Sequence, residues 1–361
     1  MLNKESVKPL NLPTYKDTGI VVIAGPCSAE TPEQVTQTAK GLAVSGIEIL
    51  RAGVWKPRTR PGCFEGRGGE ALAWIKKAGA DNNMLTAVEV ANPEHVQQSL
   101  EAGIDILWIG ARTTTSPFAV QEIADAIAKI NPRTTVLVKN PVNPDIELWI
   151  GAFQRLLSAG IKNVGAIHRG FSTYGPSPYR NKPIWNLPLQ LAVRMPGITI
   201  ITDPSHMGGK RDLILPLSQD AMDMGFAGLM IESHCDPDSA LSDSKQQVTP
   251  EALDEILGML DTGKHSDIIP ELEVFRKQID NLDAELLQIL SKRMEASRNI
   301  GVHKKECGIS VLQSSRFREV IESGMAKGAD LGLSPAFIHA LMMAIHEESV
   351  RQQVNILKDS R

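Results

Sequence analysis

The chain has 361 residues, 42% of them apolar and 22% charged, with a formal net charge of −4. At about 150 residues per domain that is two or three domains with ample material for a large core, which excludes a disordered, collagen-like or polyanion-binding chain. Aromatics at 4% argue against a base-stacking surface, and no apolar run approaches the roughly 18 residues of a membrane span, so neither nucleic acid nor membrane is an expected partner.

The first residues, Met1 to Thr14, lack the apolar stretch of a signal peptide. Cys27, Cys63, Cys235 and Cys307 form neither a CxxC pair nor a disulfide framework, so reduced thiols in a cytoplasmic enzyme are expected. From residue 20 onward, short β-rich apolar runs alternate with amphipathic stretches. The runs are Ile20–Ala24, Ile47–Leu50, Leu85–Val88, Ile106–Ile109, Thr135–Val138, Val164–Ile167, Ile198–Ile201 and Gly228–Ile231. Helices are expected over Pro32–Val44, Glu94–Glu101, Pro117–Ile130 and Pro144–Leu157, among others, often closed by Gly. Eight such units in about 240 residues match a (β/α)8 TIM barrel. A doubly wound open sheet is the alternative, but no GxGxxG follows the first run.

The residues leaving the eight runs include Cys27, Arg51, Glu89, Arg112, Lys139, Arg169, His206 and Glu232. In a closed barrel they would converge on the C-terminal mouth. Four cations among them, Arg51, Arg112, Lys139 and Arg169, imply a substrate with several negative charges, because unpaired buried cations are prohibitive. Cys27, His206, Glu232 and Asp243 offer a thiolate, an imidazole and two carboxylates, a set suited to Mn, Fe, Co or Zn better than to Mg or Ca. Taken alone, Cys27 reads as a small buried hydrophobe and His206 as a structural histidine.

GPCSAE at Gly25–Glu30, RAGVWKPRT at Arg51–Thr59, IGARTTTSP at Ile109–Pro117, VKNP at Val138–Pro141, IHRG at Ile167–Gly170, DPSH at Asp203–His206 and IESHCDPDSALSD at Ile231–Asp243 occur in order. Together they resemble the type I, β-subgroup synthases of 3-deoxy-D-arabino-heptulosonate 7-phosphate (DAHP). The sister octulosonate 8-phosphate synthases share the barrel but differ at the KPRT motif. The resemblance implies that Arg51, Lys56, Arg112, Lys139 and Arg169 bind phosphoenolpyruvate, and that Arg58 and Thr59 bind erythrose 4-phosphate. It also implies that Cys27, His206, Glu232 and Asp243 hold a divalent metal, manganese foremost, that Lys56 protonates the aldehyde oxygen, and that Glu89 orients the water.

Residues 263–270 read as a polar linker ending in Pro, dividing a barrel domain at 1–262 from a helical domain at 271–361. From Glu271, Leu272, Phe275, Ile279, Leu282, Leu286, Ile289 and Leu290 recur at helical steps, and the pattern can run to Glu306. That helix is about 50 Å long, too long for the two helices expected at Gln313–Lys327 and Pro335–Leu357 to cover, so a second copy is expected. Arg293 and Lys304 fall within about 20° of each other around it, whereas Arg276 lies about 100° from Arg293. Periodicity alone allows a solvated face or a dimer zipper with snorkelling cations.

The segment Phe275–Lys304 with Ser349–Gln353 resembles chorismate mutase of the all-helical AroQ class. The resemblance implies an all-α, three-helix, intertwined homodimer acting on chorismate, with Arg276, Arg293, Lys304, Arg316, Ser349 and Gln353 in its site. Arg276 would reach the partner's site. Where such enzymes carry an Asp-x-x-Arg-Glu pattern, this chain reads Gln313-Ser314-Ser315-Arg316-Phe317, with Phe317 in place of the Glu that would meet the substrate hydroxyl. With only about 19 residues ahead of the first run, the helical domain is also the expected place for feedback, its basic pocket binding prephenate and the linker transmitting the effect.

Overall fold

The computed structural model describes residues 7–57, 62, 64–262, 270–311 and 313–358. The expected linker lies outside them as far as residue 269. The chain divides into two compact units, Met1–Gly263 and Lys264–Arg361.

In the first unit eight parallel strands close into a barrel in sequence order. They are β1 (Val21–Gly25), β2 (Ile49–Ala52), β3 (Leu85–Val90), β4 (Ile106–Ile109), β5 (Thr135–Lys139), β6 (Val164–His168), β7 (Thr199–Thr202) and β8 (Gly228–Glu232). Seven of them are buried at every residue or all but one, the burial that continuous apolar runs predict for parallel strands. Val21, Ile23, Ile49, Trp108, Leu137, Ile167, Ile201 and Met230 pack inside the barrel, a filled core and not a pore.

Around the strands run α1 (Pro32–Val44), α2 (Glu70–Asp81), α3 (Pro93–Glu101), the short α4 (Ala111–Thr114), α5 (Pro117–Ile130), α6 (Ile146–Ser158), α7 (Asn186–Arg194), the short α8 (Pro204–Gly208), α9 (Ile214–Asp223) and α10 (Pro250–Met259). Five begin with a cap–Pro dipeptide: Thr31-Pro32, Asn92-Pro93, Ser116-Pro117, Asp203-Pro204 and Thr249-Pro250. The cap side chain accepts from an orphan N–H of the first turn, and Pro sits where no N–H is needed. Helix α6 starts at Ile146, two residues later than the pattern predicts, because Asp145 accepts from the N–H groups of Glu147 and Leu148.

The segment ahead of β1 packs on the barrel core, which no periodicity announces. Leu10 and Leu12 lie against the interior cluster, and the Leu10 N–H donates to Thr199 Oγ1 over 2.8 Å, at the N-terminal end of β7. With that end covered, the opposite mouth is left for a site.

The described residues of the second unit form three helices: α11 (Pro270–Glu306), α12 (Ser314–Asp330) and α13 (Pro335–Lys358). At 37 residues α11 is about 55 Å long. Its C-terminal third packs on α13, burying Met294 and Ser297. Its N-terminal part carries Phe275, Ile279, Leu282, Leu286 and Ile289 at 47–62% exposure.

Candidate active sites

Closure of the barrel brings the strand ends together at the C-terminal mouth. Glycine permits the tightest approaches: a Cβ on Gly25 would lie 2.0 Å from the Arg51 carbonyl oxygen, and one on Gly110 2.2 Å from Glu89 Oε1. Cys27, Glu232 and Asp243 offer donor atoms that all lie within 4.8 Å of one another. The Cys27 thiol donates to Asp243 Oδ2 over 3.4 Å, and Lys56 Nζ donates to Cys27 Sγ over 3.0 Å and to the Cys27 carbonyl over 2.8 Å. Burial, then the Glu232 carboxylate, pushes the Cys27 pKa up to about 12, so the thiol keeps its proton until a cation displaces it. Asp243 holds a left-handed backbone conformation, φ +48°, unusual for a residue other than glycine.

His206 stands beside this cluster and not inside it. Its Nε2 is 3.6 Å from Glu232 Oε1 and its Nδ1 2.8 Å from Asp203 Oδ2. Burial pushes its pKa down, which leaves a lone pair for a metal, and Asp203 is the carboxylate that orients such a histidine. The donor set fits a divalent cation: a thiol and two carboxylates crowd one buried point, with an imidazole at hand, and mutual repulsion among the anions is relieved by positive charge. For Glu232, burial works against ionisation, but His206, Arg51 and Lys56 outweigh it and hold the carboxyl below its usual range.

Arg51 and Lys56, expected in the phosphoenolpyruvate pocket, sit with this cluster. Arg51 Nη1 donates to Glu232 Oε1 over 3.0 Å and Nη2 to the Cys27 carbonyl over 3.2 Å, with the guanidinium over the Trp108 ring. Burial opposes the Lys56 charge, but Cys27 and Glu232 raise its pKa, so it is a protonated donor at neutral pH.

Next to the cluster opens a cavity of about 290 Å³, lined by Glu89, Arg112, Lys139, Arg169, Arg180 and His206 among others. Lys139 Nζ donates to the buried Asp203 over 2.9 Å. Asp203 stays ionised because His206 and Lys139 outweigh its burial. Arg169 is lowered to about 10, first by burial and then by Arg180 and Arg112 despite Asp203. Three guanidiniums that press on one another make a seat for an anion. Glu89 accepts from Trp108 Nε1 over 2.9 Å and faces the same cavity. Arg58 and Thr59 lie outside the described residues.

Two residues escaped the sequence reading. Asp203 sat in the quoted DPSH motif without a role. Arg180 donates to Asp243 Oδ1 over 3.0 Å and to Gln246 Oε1 over 2.7 Å. Its signal was the Pro- and Ser-rich connection between β6 and α7, longer than most βα loops and so a candidate for function.

The helical unit has a cavity of about 480 Å³, lined by Arg293, Lys304, Gln313, Arg316, Phe317, His346, Ser349 and Gln353 among others. Arg293 Nη1 donates to Ser349 Oγ over 2.6 Å, Ser349 Oγ donates to the Ile345 carbonyl over 2.8 Å, and Lys304 Nζ donates to the Val311 carbonyl over 2.6 Å. Gln353 Nε2 donates to Ser297 Oγ over 2.9 Å. Arg316 is exposed and paired with Glu319. Arg276 is not among the lining residues: it is 61% exposed and paired with Glu273 on its own helix.

Strand-end residues at the mouth of a barrel, an oxygen–sulfur–nitrogen donor set and a guanidinium-lined cavity define a TIM-barrel enzyme that handles small polyanions. Comparison with known proteins narrows this. The model of the DAHP synthetase I family matches residues 8–265, and that of chorismate mutase type II matches residues 275–354. A phospho-2-dehydro-3-deoxyheptonate aldolase of Thermotoga maritima is 32% identical over 237 residues, 65% of this chain and 67% of its own length. A 2-dehydro-3-deoxyphosphooctonate aldolase of Desulfotalea psychrophila is 27% identical over 264 residues, 67% of this chain and 88% of its own. The crystal structure of the Thermotoga maritima DAHP synthase aligns with a TM-score of 0.60 at 30% identity, over 66% of this chain and 67% of that one. A truncated form of that synthase gives 0.58 at 28%, over 66% and 84%.

The chain belongs to the DAHP synthetase I family and carries a chorismate mutase type II domain at its C-terminal end. It has both activities, DAHP synthase and chorismate mutase, and the octulosonate reading is the weaker one. The synthase family is metal-dependent. No described helix is long and apolar enough to cross a membrane.

Proposed function

We propose that the barrel condenses phosphoenolpyruvate with erythrose 4-phosphate in the cavity that joins the guanidinium cluster to the Cys27–Glu232–Asp243 triad. One observation carries this: His206 belongs to both, lining the cavity while its Nε2 stands 3.6 Å from Glu232. Lys139, Arg169 and Arg112 grip the phosphate and carboxylate of phosphoenolpyruvate, and Arg180 closes the anionic side. Arg58 and Thr59 take erythrose 4-phosphate, as the KPRT motif implies.

Cys27, His206, Glu232 and Asp243 would hold a divalent ion, manganese foremost and iron, cobalt or zinc as substitutes, which when bound supplies a Lewis acid for the aldehyde. The residues of the chain do the rest. Bound side by side, C3 of phosphoenolpyruvate bonds to the aldehyde carbon while Lys56, kept protonated by its anionic neighbours, delivers a proton to the aldehyde oxygen. Positive charge grows at C2 opposite Glu89, which orients the water that adds there and accepts its proton. The tetrahedral centre then loses inorganic phosphate, breaking the C2–O bond, into the Arg112–Arg169 seat.

In the helical unit Arg293 and Arg316, with the partner's Arg276, hold the two carboxylates of chorismate in a compact conformer. Lys304 and Gln353 face the breaking ether oxygen, where negative charge develops, and Ser349 anchors Arg293. Gln353 does so with its amide turned over, since oxygen and nitrogen exchange places on a half turn. The working form is a homodimer. Its basic cavity also binds prephenate as a feedback signal. Free thiols at Cys27, Cys235 and Cys307 suit a cytoplasmic setting.

The test is a paired assay of the purified full chain. Exhaustive chelation abolishes DAHP formation, added manganese restores it, and prephenate formation is unaffected throughout. Synthase turnover that survives chelation counts against the metal site.

A further inference from the structure

The mutase cavity departs from the chorismate mutase pattern at Gln313, which stands in place of Asp, and at Phe317. Position 317, where that pattern sets an acidic group against the ring hydroxyl of the substrate, holds Phe317. A hydroxyl stripped of water and left against an apolar ring is costly. The Phe317 ring packs on the imidazole of His346, with centroids 4.4 Å apart and planes at 45°. His346 stands three residues before Ser349 and seven before Gln353 on α13, so the three share one helix face and line the cavity.

His346 Nε2 is buried and has no hydrogen-bond partner among the described residues. Ser349 is engaged by Arg293 and the Ile345 carbonyl, Lys304 by the Val311 carbonyl and Gln353 Nε2 by Ser297, while Gln353 Oε1, like the imidazole nitrogen, has no partner among the described residues and Gln313 lines the same cavity. The His346 side chain lines the cavity, so a ligand bound there is a candidate for the partner that its buried ring nitrogen lacks. The guanidiniums account for the carboxylates of a substrate, and Lys304 with Gln353 for its ether oxygen. What is left is a hydroxyl, which both donates and accepts, as does a neutral imidazole. Burial first, then the Arg293 and Lys304 cations, lowers the His346 pKa, keeping the ring neutral.

We propose that His346 is the group that hydrogen-bonds the ring hydroxyl of chorismate, replacing the acidic side chain absent at position 317, with the Phe317 ring holding the imidazole in place. The assignment rests on the reading of this cavity as the mutase site.

The test compares rearrangement of chorismate with that of an analogue carrying hydrogen in place of the ring hydroxyl, using the full chain. His346→Leu lowers kcat/KM for chorismate about tenfold, the size of one neutral hydrogen bond, and leaves the analogue unchanged. His346→Gln, which keeps a donor, retains most of the preference, and Phe317→Glu added to His346→Leu restores it. A purely structural role would depress both substrates equally. Lys304→Ala serves as the control for the site itself. If it leaves prephenate formation intact, the mutase assignment of the cavity fails and the proposal with it. If it cripples the reaction while His346→Leu and His346→Gln keep the wild-type preference for chorismate, the His346 assignment alone is overturned.

Discussion

At the scale of single residues, the barrel site is a balance of buried charges in which no group acts alone. Cys27 keeps its proton in a buried setting and gives it up only to a cation, so its replacement separates metal from fold. Cys27→Ala is expected to lose stoichiometric manganese, measured by elemental analysis, and DAHP formation with it, while prephenate formation persists. Metal retained at one equivalent with the synthase intact would remove Cys27 from the site. His168 shows the opposite logic. Its Nε2 lies 2.6 Å from the Pro183 carbonyl oxygen among the rings of Trp149, Phe171 and Trp185, and burial lowers its pKa to about 3. Below about pH 6.5 the unfolded chain takes up a proton that the folded chain refuses until about pH 3, so stability falls as pH falls through that window. The loss approaches about 1.4 kcal/mol per pH unit. Denaturant melts at pH 7 and pH 5 are expected to differ less for His168→Gln than for wild type; equal differences would mean that other groups set the slope.

At the scale of elements, α11 is the one whose sequence demands more than its own chain supplies. Phe275, Ile279, Leu282, Leu286 and Ile289 follow each other at steps of four and three, a seam for a second helix. Arg293, Ala296 and Ile300 continue the same stripe into the cavity wall. The seam is exposed where the stripe leaves α13, and Arg276 beside it is held away from the cavity of its own chain. A cavity completed by the partner's Arg276 makes a specific prediction. Arg276→Ala and Lys304→Ala are each expected to be inactive as mutases. Co-expressed, they form mixed dimers with one intact site, recovering about a quarter of wild-type activity. Activity that stays at the level of the single variants would mean that each chain builds its site alone.

At the scale of the whole molecule, two activities at separate steps share one chain, which makes the helical unit available as a sensor for the barrel. Prephenate, a dicarboxylate, suits the Arg293–Arg316–Lys304 lining. Added prephenate is expected to slow DAHP formation at sub-saturating substrates by about fivefold or more, the lower range of ordinary allosteric coupling. In Arg293→Ala the inhibition should vanish. Equal inhibition of both proteins, or none of the wild type, would sink the coupling.

The sequence by itself determined whatever depends on neighbours along the chain. Eight apolar runs became eight strands displaced by a residue or two at their ends, because β-rich runs buried on both faces need no partner to declare themselves. Cap–Pro dipeptides started five helices, and the periodicity from Glu271 gave the long α11 within one residue of its start. The motifs put Cys27, His206, Glu232 and Asp243 in one set, and the structure clusters three of them with His206 beside. Only the tertiary structure decided which charges meet. Arg51 pairs with Glu232, 181 residues away, and Lys139 with Asp203, 64 residues away. Arg180 joined Asp243 from a loop with no periodic signal, and His346 was left with an open nitrogen beside Phe317. The reason is physical: propensity and periodicity are properties of adjacent residues, whereas the pairing of buried charges is set by barrel closure, which brings distant strand ends within hydrogen-bond reach.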